Sequence, residues 1–364
     1  MTTDISAAGD HLLVGLRPTA TLHELDRALL ADLRPAGVVL FKSNFLHDRP
    51  YAEWLPVQQR LIADVRAVTG RDRLFVAIDH EGGRVCRTPP PITRFSYAAQ
   101  WASQAAAVGR VMGIELASLG INLNFAPVLD IHSNPANPVI GPRSLGTSAA
   151  VVTEAALAFM AAMQAQGVLA CGKHFPGHGD TDKDSHHELP VLNRDLPELR
   201  SRELLPFQAA IAAGIEMIMT SHLMIPRVDS RDPVTLSHRF TQELLRDEMG
   251  FKGVVVSDDI GMSAVSRLFD DPVSAVRLLL SGTDLLMVCS HWTDTERARG
   301  FARAIASAQR DGTIPANLTA RSRERIHALL VRTAQNRVSA LPAAAFESHQ
   351  VAGPLFSAAT AEVI

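Results

Sequence analysis

Short, nearly continuous apolar runs recur along the chain: Leu12–Leu16, Gly37–Phe41, Leu74–Asp79, Ile121–Ile131, Val168–His174, Ile215–His222, Gly253–Asp258 and Thr283–Ser290. Several consist almost wholly of Val, Ile, Leu and Met, the pattern of parallel strands covered on both faces. Between them lie stretches rich in Ala, Leu, Glu, Arg and Gln that read as helices, among them Glu53–Val68, Ala98–Leu119, Ala149–Gln166, Asp195–Ala213 and Thr241–Met249. Eight strands alternating with helices match an α/β fold of the (β/α)8 TIM-barrel kind, in a single domain. A doubly wound open sheet can carry a similar alternation, so the ends of the strands matter more than their number.

Read forward, the apolar runs give way to Lys42 and Asn44, to Asp79 and Glu81, to Asp130, to Lys173–His174, to Ser221–His222 and to Asp258–Asp259. In a barrel all of these fall on the C-terminal face, where barrel enzymes place their chemistry. Thr88-Pro89-Pro90-Pro91 reads as a rigid extended loop. The barrel is expected over residues 1–341. The stretch 342–364, with Ala and Pro but no clear period, reads as a C-terminal extension too short to be a second domain.

Composition narrows the class. With 35 basic and 38 acidic side chains the net charge is −3, and no long basic run supplies the cationic footprint of a nucleic-acid binder. The three cysteines, Cys86, Cys171 and Cys289, form no CxxC pair, which disfavours a disulfide scaffold and suits a reducing cytoplasm. The N-terminal residues lack a cationic start followed by an apolar core, so no signal peptide is expected. No uncharged run approaches the roughly 18 residues of a membrane span. These features predict a cytoplasmic protein with a small-molecule substrate, without nucleic-acid partners and without a membrane span.

Four stretches could carry chemistry. The densest is Lys173-His174-Phe175-Pro176-Gly177-His178-Gly179-Asp180-Thr181-Asp182-Lys183-Asp184-Ser185-His186-His187-Glu188-Leu189-Pro190. Its imidazoles and carboxylates fit a metal site, although Pro176 keeps His174 and His178 from sharing a helix face. They also fit acid–base chemistry. A bent loop could bring Asp184 to one nitrogen of His186, where the carboxylate would set the tautomer and leave the other nitrogen for proton transfer. A solvated polar loop is the bland alternative. The second stretch, Gly253-Val254-Val255-Val256-Ser257-Asp258-Asp259, delivers two carboxylates to a strand end. They suit a nucleophile, a metal ligand or a helix cap, or cap and site together with Asp258 facing the centre. In the third, Asp79-His80-Glu81-Gly82-Gly83-Arg84-Val85-Cys86-Arg87, paired glycines permit a tight turn, while acids and arginines either hold sugar hydroxyls or pair with one another. The fourth, Ile140-Gly141-Pro142-Arg143-Ser144, presents an arginine on a turn.

Together and in this order, these stretches resemble the family 3 glycoside hydrolases, and within them the bacterial β-N-acetylglucosaminidases of the NagZ type. The carriers are KHFPGHGDTDKDSHHELP, DHEGGRVCR, NFAPVLDI, IGPRS and GFKGVVVSDDIGM, and the likeness runs from about Leu12 to the helix near Arg332. The resemblance implies removal of terminal β-linked N-acetylglucosamine with retention of configuration, by double displacement and without metal or cofactor. It also implies N-acetylglucosaminyl-anhydromuropeptides of peptidoglycan recycling as substrate. By position, Asp258 would be the nucleophile and His186 the acid/base held by Asp184. Asp79, Arg87, Arg143, Lys173 and His174 would bind the sugar. An imidazole donor departs from the two-carboxylate scheme, yet a pKa near 6.5 suits giving a proton and then activating water. A neutral base also puts no negative charge beside the acceptor, so phosphorolysis is an alternative outcome. Three positions depart from the branch pattern: His80 where glutamine is common, Pro142 where aspartate is common, and Leu145 where phenylalanine is common.

Three competing classes stay in view. A metal-dependent barrel hydrolase usually carries an HxH pair after its first strand, where this chain has Gly15-Leu16-Arg17, and Asp284 opens the last strand instead of closing it. A Schiff-base lyase could use Lys173 but gives no role to Asp258 or to Asp184 and His186. A non-catalytic sugar binder would have lost the nucleophile or the acid/base.

Overall fold

The computed structural model describes residues 5–182, 189–289, 295–333, 335 and 337–351. Eight parallel strands close into a barrel in chain order, β1 pairing with both β2 and β8. They are β1 (Leu12–Gly15), β2 (Gly37–Leu40), β3 (Phe75–Ile78), β4 (Leu123–Asn124), β5 (Leu169–Phe175), β6 (Met217–Thr220), β7 (Val254–Asp259) and β8 (Leu285–Val288). Each coincides with one of the apolar runs, β5 and β7 reaching one residue beyond it. Alternation sorts their side chains: Phe75, Ala77, Leu169, Cys171, Met217, Met219, Val254 and Val256 share one buried cluster. The intervening Val76, Ile78, Ala170, Ile218 and Val255 join the larger core built with the helices. That alternation is the pleat of a strand buried on both faces.

β4 is far shorter than the run Ile121–Ile131 predicts. Side-chain amides replace part of its ladder: Asn122 Oδ1 accepts the Val76 N–H at 2.8 Å, and Asn124 Oδ1 accepts the His80 N–H at 2.9 Å. Pro127, just beyond, has no N–H to donate. The helix expected over Asp195–Ala213 is two, Leu196–Ser201 and Leu204–Ala212. Pro206 lacks the N–H that would bond to the Arg202 carbonyl, and the break falls there. The stretch Ala98–Leu119 likewise forms Ala98–Trp101, a 3-10 turn and Ala105–Ser118. The helix predicted over Thr241–Met249 occupies Arg239–Glu248, wound with the wider π spacing.

Asp284 lies, as its place before β8 requires, at the N-terminal end of the barrel. It is fully buried and pairs with Arg246 at 2.5 Å and Arg325 at 2.7 Å. A helix over Ala343–Val351, absent from the periodicity, packs against the barrel flank. Phe346 meets Tyr51 edge-on at 5.3 Å, and His349 Nδ1 lies 2.8 Å from Glu115, which also accepts from Thr93. Among the described residues no helix is long and apolar enough to cross a membrane.

Candidate active site

The exits of β3 and β5 meet at a group of four charges. Gly82 and Gly83 turn the chain after β3 at φ of +105° and +56°, and a Cβ on Gly83 would stand 2.2 Å from the Tyr97 ring, so only glycine fits this turn. The turn brings Glu81 back over the rim, where it is 4% exposed. Arg143, presented by the 3-10 turn Gly141–Arg143, grips Glu81 through Nε and Nη2, both at 2.8 Å. Lys173 Nζ lies 2.6 Å from Asp79 and 2.5 Å from Glu81. Burial pushes the Glu81 carboxyl up, but the Arg143 and Lys173 cations outweigh it and hold that carboxyl far below the usual range. Burial likewise opposes the charge on Lys173, and Asp79 and Glu81 outweigh it, so the amine titrates above its ordinary value. An ammonium locked in this way is not the free amine that a Schiff base needs.

Asp130, which follows β4, organises the next part of the rim. It is fully buried, and Oδ2 accepts from His174 Nδ1 at 2.6 Å. Its Oδ1 takes the backbone N–H groups of His174 at 3.1 Å and His178 at 2.7 Å. Burial would raise the Asp130 carboxyl, but His174 and these bonds hold it low. The proton therefore sits on Nδ1, and His174 Nε2 is the nitrogen left to meet a ligand. His178 is a structural counterpart: Nδ1 lies 2.9 Å from Thr181 Oγ1, and burial brings its pKa down to about 4.

Asp258 stands at the end of β7, half-buried at the mouth. Its Oδ1 accepts the Asp259 N–H at 2.7 Å. Burial works against its charge, yet the imidazoles of His222 and His174, the Asp259 N–H and Lys173 hold the carboxyl below its ordinary value. Asp259 faces elsewhere: its Oδ1 accepts from the backbone N–H of Gly261 and of Cys289, both at 3.0 Å. The expected helix cap is not formed: the helix that follows starts at Ser263 with Met262 before it, and Asp259 instead ties the loop to the neighbouring strand end. Arg87 is on the same rim, with its guanidinium carbon 5.9 Å from the centre of the Phe41 ring and its N–H donating to His80 Nδ1 at 3.3 Å.

Asp79, Arg143, Lys173, His174 and Asp258 are therefore gathered on one face, with Arg87 beside them. Asp184 and His186 lie outside the described residues. The chain on either side of them is tied down: Arg194 Nη2 and Arg202 Nη2 both donate to Asp180 Oδ2, at 2.9 and 2.7 Å. Asn134 and Asn137 hold Thr181. Glu81, Asp130 and His222 were visible in the sequence only as strand-exit residues. Their roles as partners of Arg143 and Lys173, of His174, and of the Asp259 carbonyl depend on contacts 37 or more residues apart. Within DHEGGRVCR, Glu81 does pair with a guanidinium, but it is that of Arg143 from outside the stretch. Among the described residues no three His, Cys, Asp or Glu side chains converge as a metal site.

A closed (β/α)8 barrel with this polar, charge-paired rim at its C-terminal end is a barrel enzyme suited to a ligand rich in hydroxyl groups. The chain belongs to glycosyl hydrolase family 3, whose N-terminal domain matches residues 12–329. It is 34% identical to Beta-hexosaminidase A of Pseudoalteromonas piscicida over 83% of this chain and 54% of the relative. To the Beta-hexosaminidase of Methylococcus capsulatus it is 38% identical over 76% of this chain and 81% of the relative. Thus the chain spans little more than half of one relative and four-fifths of the other. The crystal structure of NagZ from Neisseria gonorrhoeae in complex with N-trifluoroacetyl-D-glucosamine superposes with a TM-score of 0.74, at 31% identity, covering 93% of this chain and 96% of that one.

Proposed function

We propose that this protein is a retaining exo-β-N-acetylglucosaminidase with Asp258 as nucleophile and an Asp184–His186 acid/base dyad. Asp258 Oδ attacks C1 of a terminal β-linked N-acetylglucosamine while His186 gives its proton to the departing glycosidic oxygen. The covalent glycosyl ester is then cleaved by water. Neutral His186 takes the water's proton, the hydroxide oxygen bonds to C1, and the Asp258 carboxylate is released. Asp184 orients the His186 ring and stabilises its charged form. Asp79, Arg87, Arg143, Lys173 and His174 hold the sugar hydroxyls and the N-acetyl group.

The observation that carries this reading is Asp258, its carboxyl held below the ordinary range, at the same barrel mouth as the charge-balanced Asp79–Lys173–Glu81–Arg143 frame. A carboxylate kept below its ordinary pKa is poised to attack, and paired cations and anions suit a neutral polyol. The names of the similar proteins, hexosaminidases and NagZ, agree with the sugar. We further propose N-acetylglucosaminyl-anhydromuropeptides of cell-wall recycling as natural substrate, handled in the cytoplasm. In domain terms, 1–341 forms the barrel and 342–364 its extension.

Release of 4-nitrophenol from its β-N-acetylglucosaminide, measured with EDTA present, tests the reading. Wild type is expected to turn over, and Asp258→Ala to lose about 10⁴-fold or more in kcat. Comparable turnover by Asp258→Ala removes the nucleophile assignment, and failure of the wild type on both this substrate and anhydromuropeptides removes the activity.

A further inference from the structure

His222, just past β6, is fully buried and has no part in the scheme above. Its Nε2 lies 3.0 Å from the Asp259 carbonyl oxygen. A carbonyl only accepts, so Nε2 carries a hydrogen and donates it. On the other edge Nδ1 lies 2.7 Å from Thr235 Oγ1, which itself reaches the Ser221 carbonyl at 2.9 Å. Thr235 is buried as well. The hydroxyl can give its hydrogen to Nδ1, or to Ser221 while accepting from a charged ring. The ring orientation is fixed in both protonation states.

The Asp259 residue that His222 grips also fixes the Asp258 carboxylate. Its N–H donates to Asp258 Oδ1 at 2.7 Å, and its own carboxylate is held by Gly261 and Cys289. The chain of contacts runs Ser221–Thr235–His222–Asp259–Asp258 and joins β6 to the end of β7. We infer that His222 is a positioning residue for the nucleophile, setting the orientation of the Asp258 side chain through the Asp259 peptide. The inference rests on Asp258 being the nucleophile. The low-lying Asp258 carboxyl, to which His222 contributes, is consistent with it.

The test compares His222→Phe, which keeps a ring and removes both nitrogens, with His222→Gln, whose amide can still donate to the Asp259 carbonyl. His222→Phe is expected to lose about 100-fold in kcat/KM on the 4-nitrophenyl substrate, the effect of a misplaced reacting group. Competitive inhibition by N-acetylglucosamine should stay within about threefold, because the sugar frame is elsewhere. The acidic limb of the kcat/KM–pH profile should move up by about one unit as Asp258 loses a favourable neighbour. His222→Gln should recover part of the rate. If His222→Phe fails to fold, Thr235→Val, which only frees the ring, should give the same pattern more weakly. Wild-type kcat/KM in the folded variant, an unmoved acidic limb, or an equal loss of N-acetylglucosamine binding each overturns the inference. Asp258→Ala in the same assay separates the two ideas. If it is inactive while His222→Phe is unaffected, only the positioning role fails; if it turns over normally, the nucleophile reading fails and takes this one with it.

Discussion

Glu81→Gln perturbs the site most selectively. The substitution keeps the shape of a side chain that is 4% exposed and removes one of four charges from a group that sums to zero. The amide has one oxygen to offer, so at least one of the three donor contacts from Arg143 and Lys173 must face an NH2 group instead. Removing one member of a buried ion pair costs about 3–5 kcal/mol, mostly the penalty of the charge left behind. With a urea dependence of about 3 kcal/mol per M, the unfolding midpoint should fall by about 1–1.7 M. kcat/KM should drop about 100-fold as Lys173 and Arg143 shift. The pH dependence adds a second check. Glu81 is ionised in the folded protein well below its ordinary pKa, so its contribution is full above the unfolded value of about 4.3 and is lost as pH falls from there toward the folded value. The gap between wild type and Glu81→Gln should therefore be constant from pH 7 to 5 and narrow by about 1 kcal/mol by pH 3.5. Equal midpoints at pH 7, or a gap that widens in acid, would refute the reasoning.

Two further outcomes follow from buried groups that the proposed chemistry does not use. His80 is held by burial down to about 4, so between roughly pH 6.5 and 4 the unfolded chain binds more protons and stability falls as pH falls, by up to about 3 kcal/mol; His80→Gln should flatten that slope in urea unfolding at pH 7 and 4.5, and an unchanged slope counts against it. Phe346→Ala empties the edge contact with Tyr51 and should weaken docking of the Ala343–Val351 helix by about 3 kcal/mol, seen as faster proteolysis near 341 with activity retained; unchanged proteolysis means that the helix is held by other contacts.

The barrel was legible because nearly every strand falls in a short apolar run of its own, and a parallel strand buried on both faces needs little else. The exits were legible for the same reason: polarity at the end of an apolar run marks the C-terminal rim. Boundaries failed where a side chain did the backbone's work, as at Asn122 and Asn124, or where Pro206 broke a helix that composition would continue. The helix at Ala343–Val351 has little amphipathic pattern and depends on Phe346 and His349 finding Tyr51 and Glu115 across the fold. Within the site, residue types pointed to Asp258, Lys173 and His174, but nothing local tells which acid neutralises which cation. Glu81 becomes the common partner of Arg143 and Lys173 only once barrel closure brings the exits of β3, β4 and β5 together. Pro142, a departure from the branch pattern, leaves Arg143 in its bidentate grip.

The zero sum of Asp79, Glu81, Lys173 and Arg143 has a consequence for the medium in which the protein works. These charges sit 2.5–2.8 Å from their partners, whereas dissolved salt screens over about 8 Å at physiological strength. Mobile ions cannot enter between them, and seen from outside the group has no monopole for an ionic atmosphere to answer. A sugar without charge that docks on such a frame displaces water but no counterions. Under the proposed function, capture of an uncharged sugar by this frame is expected to vary little with ionic strength.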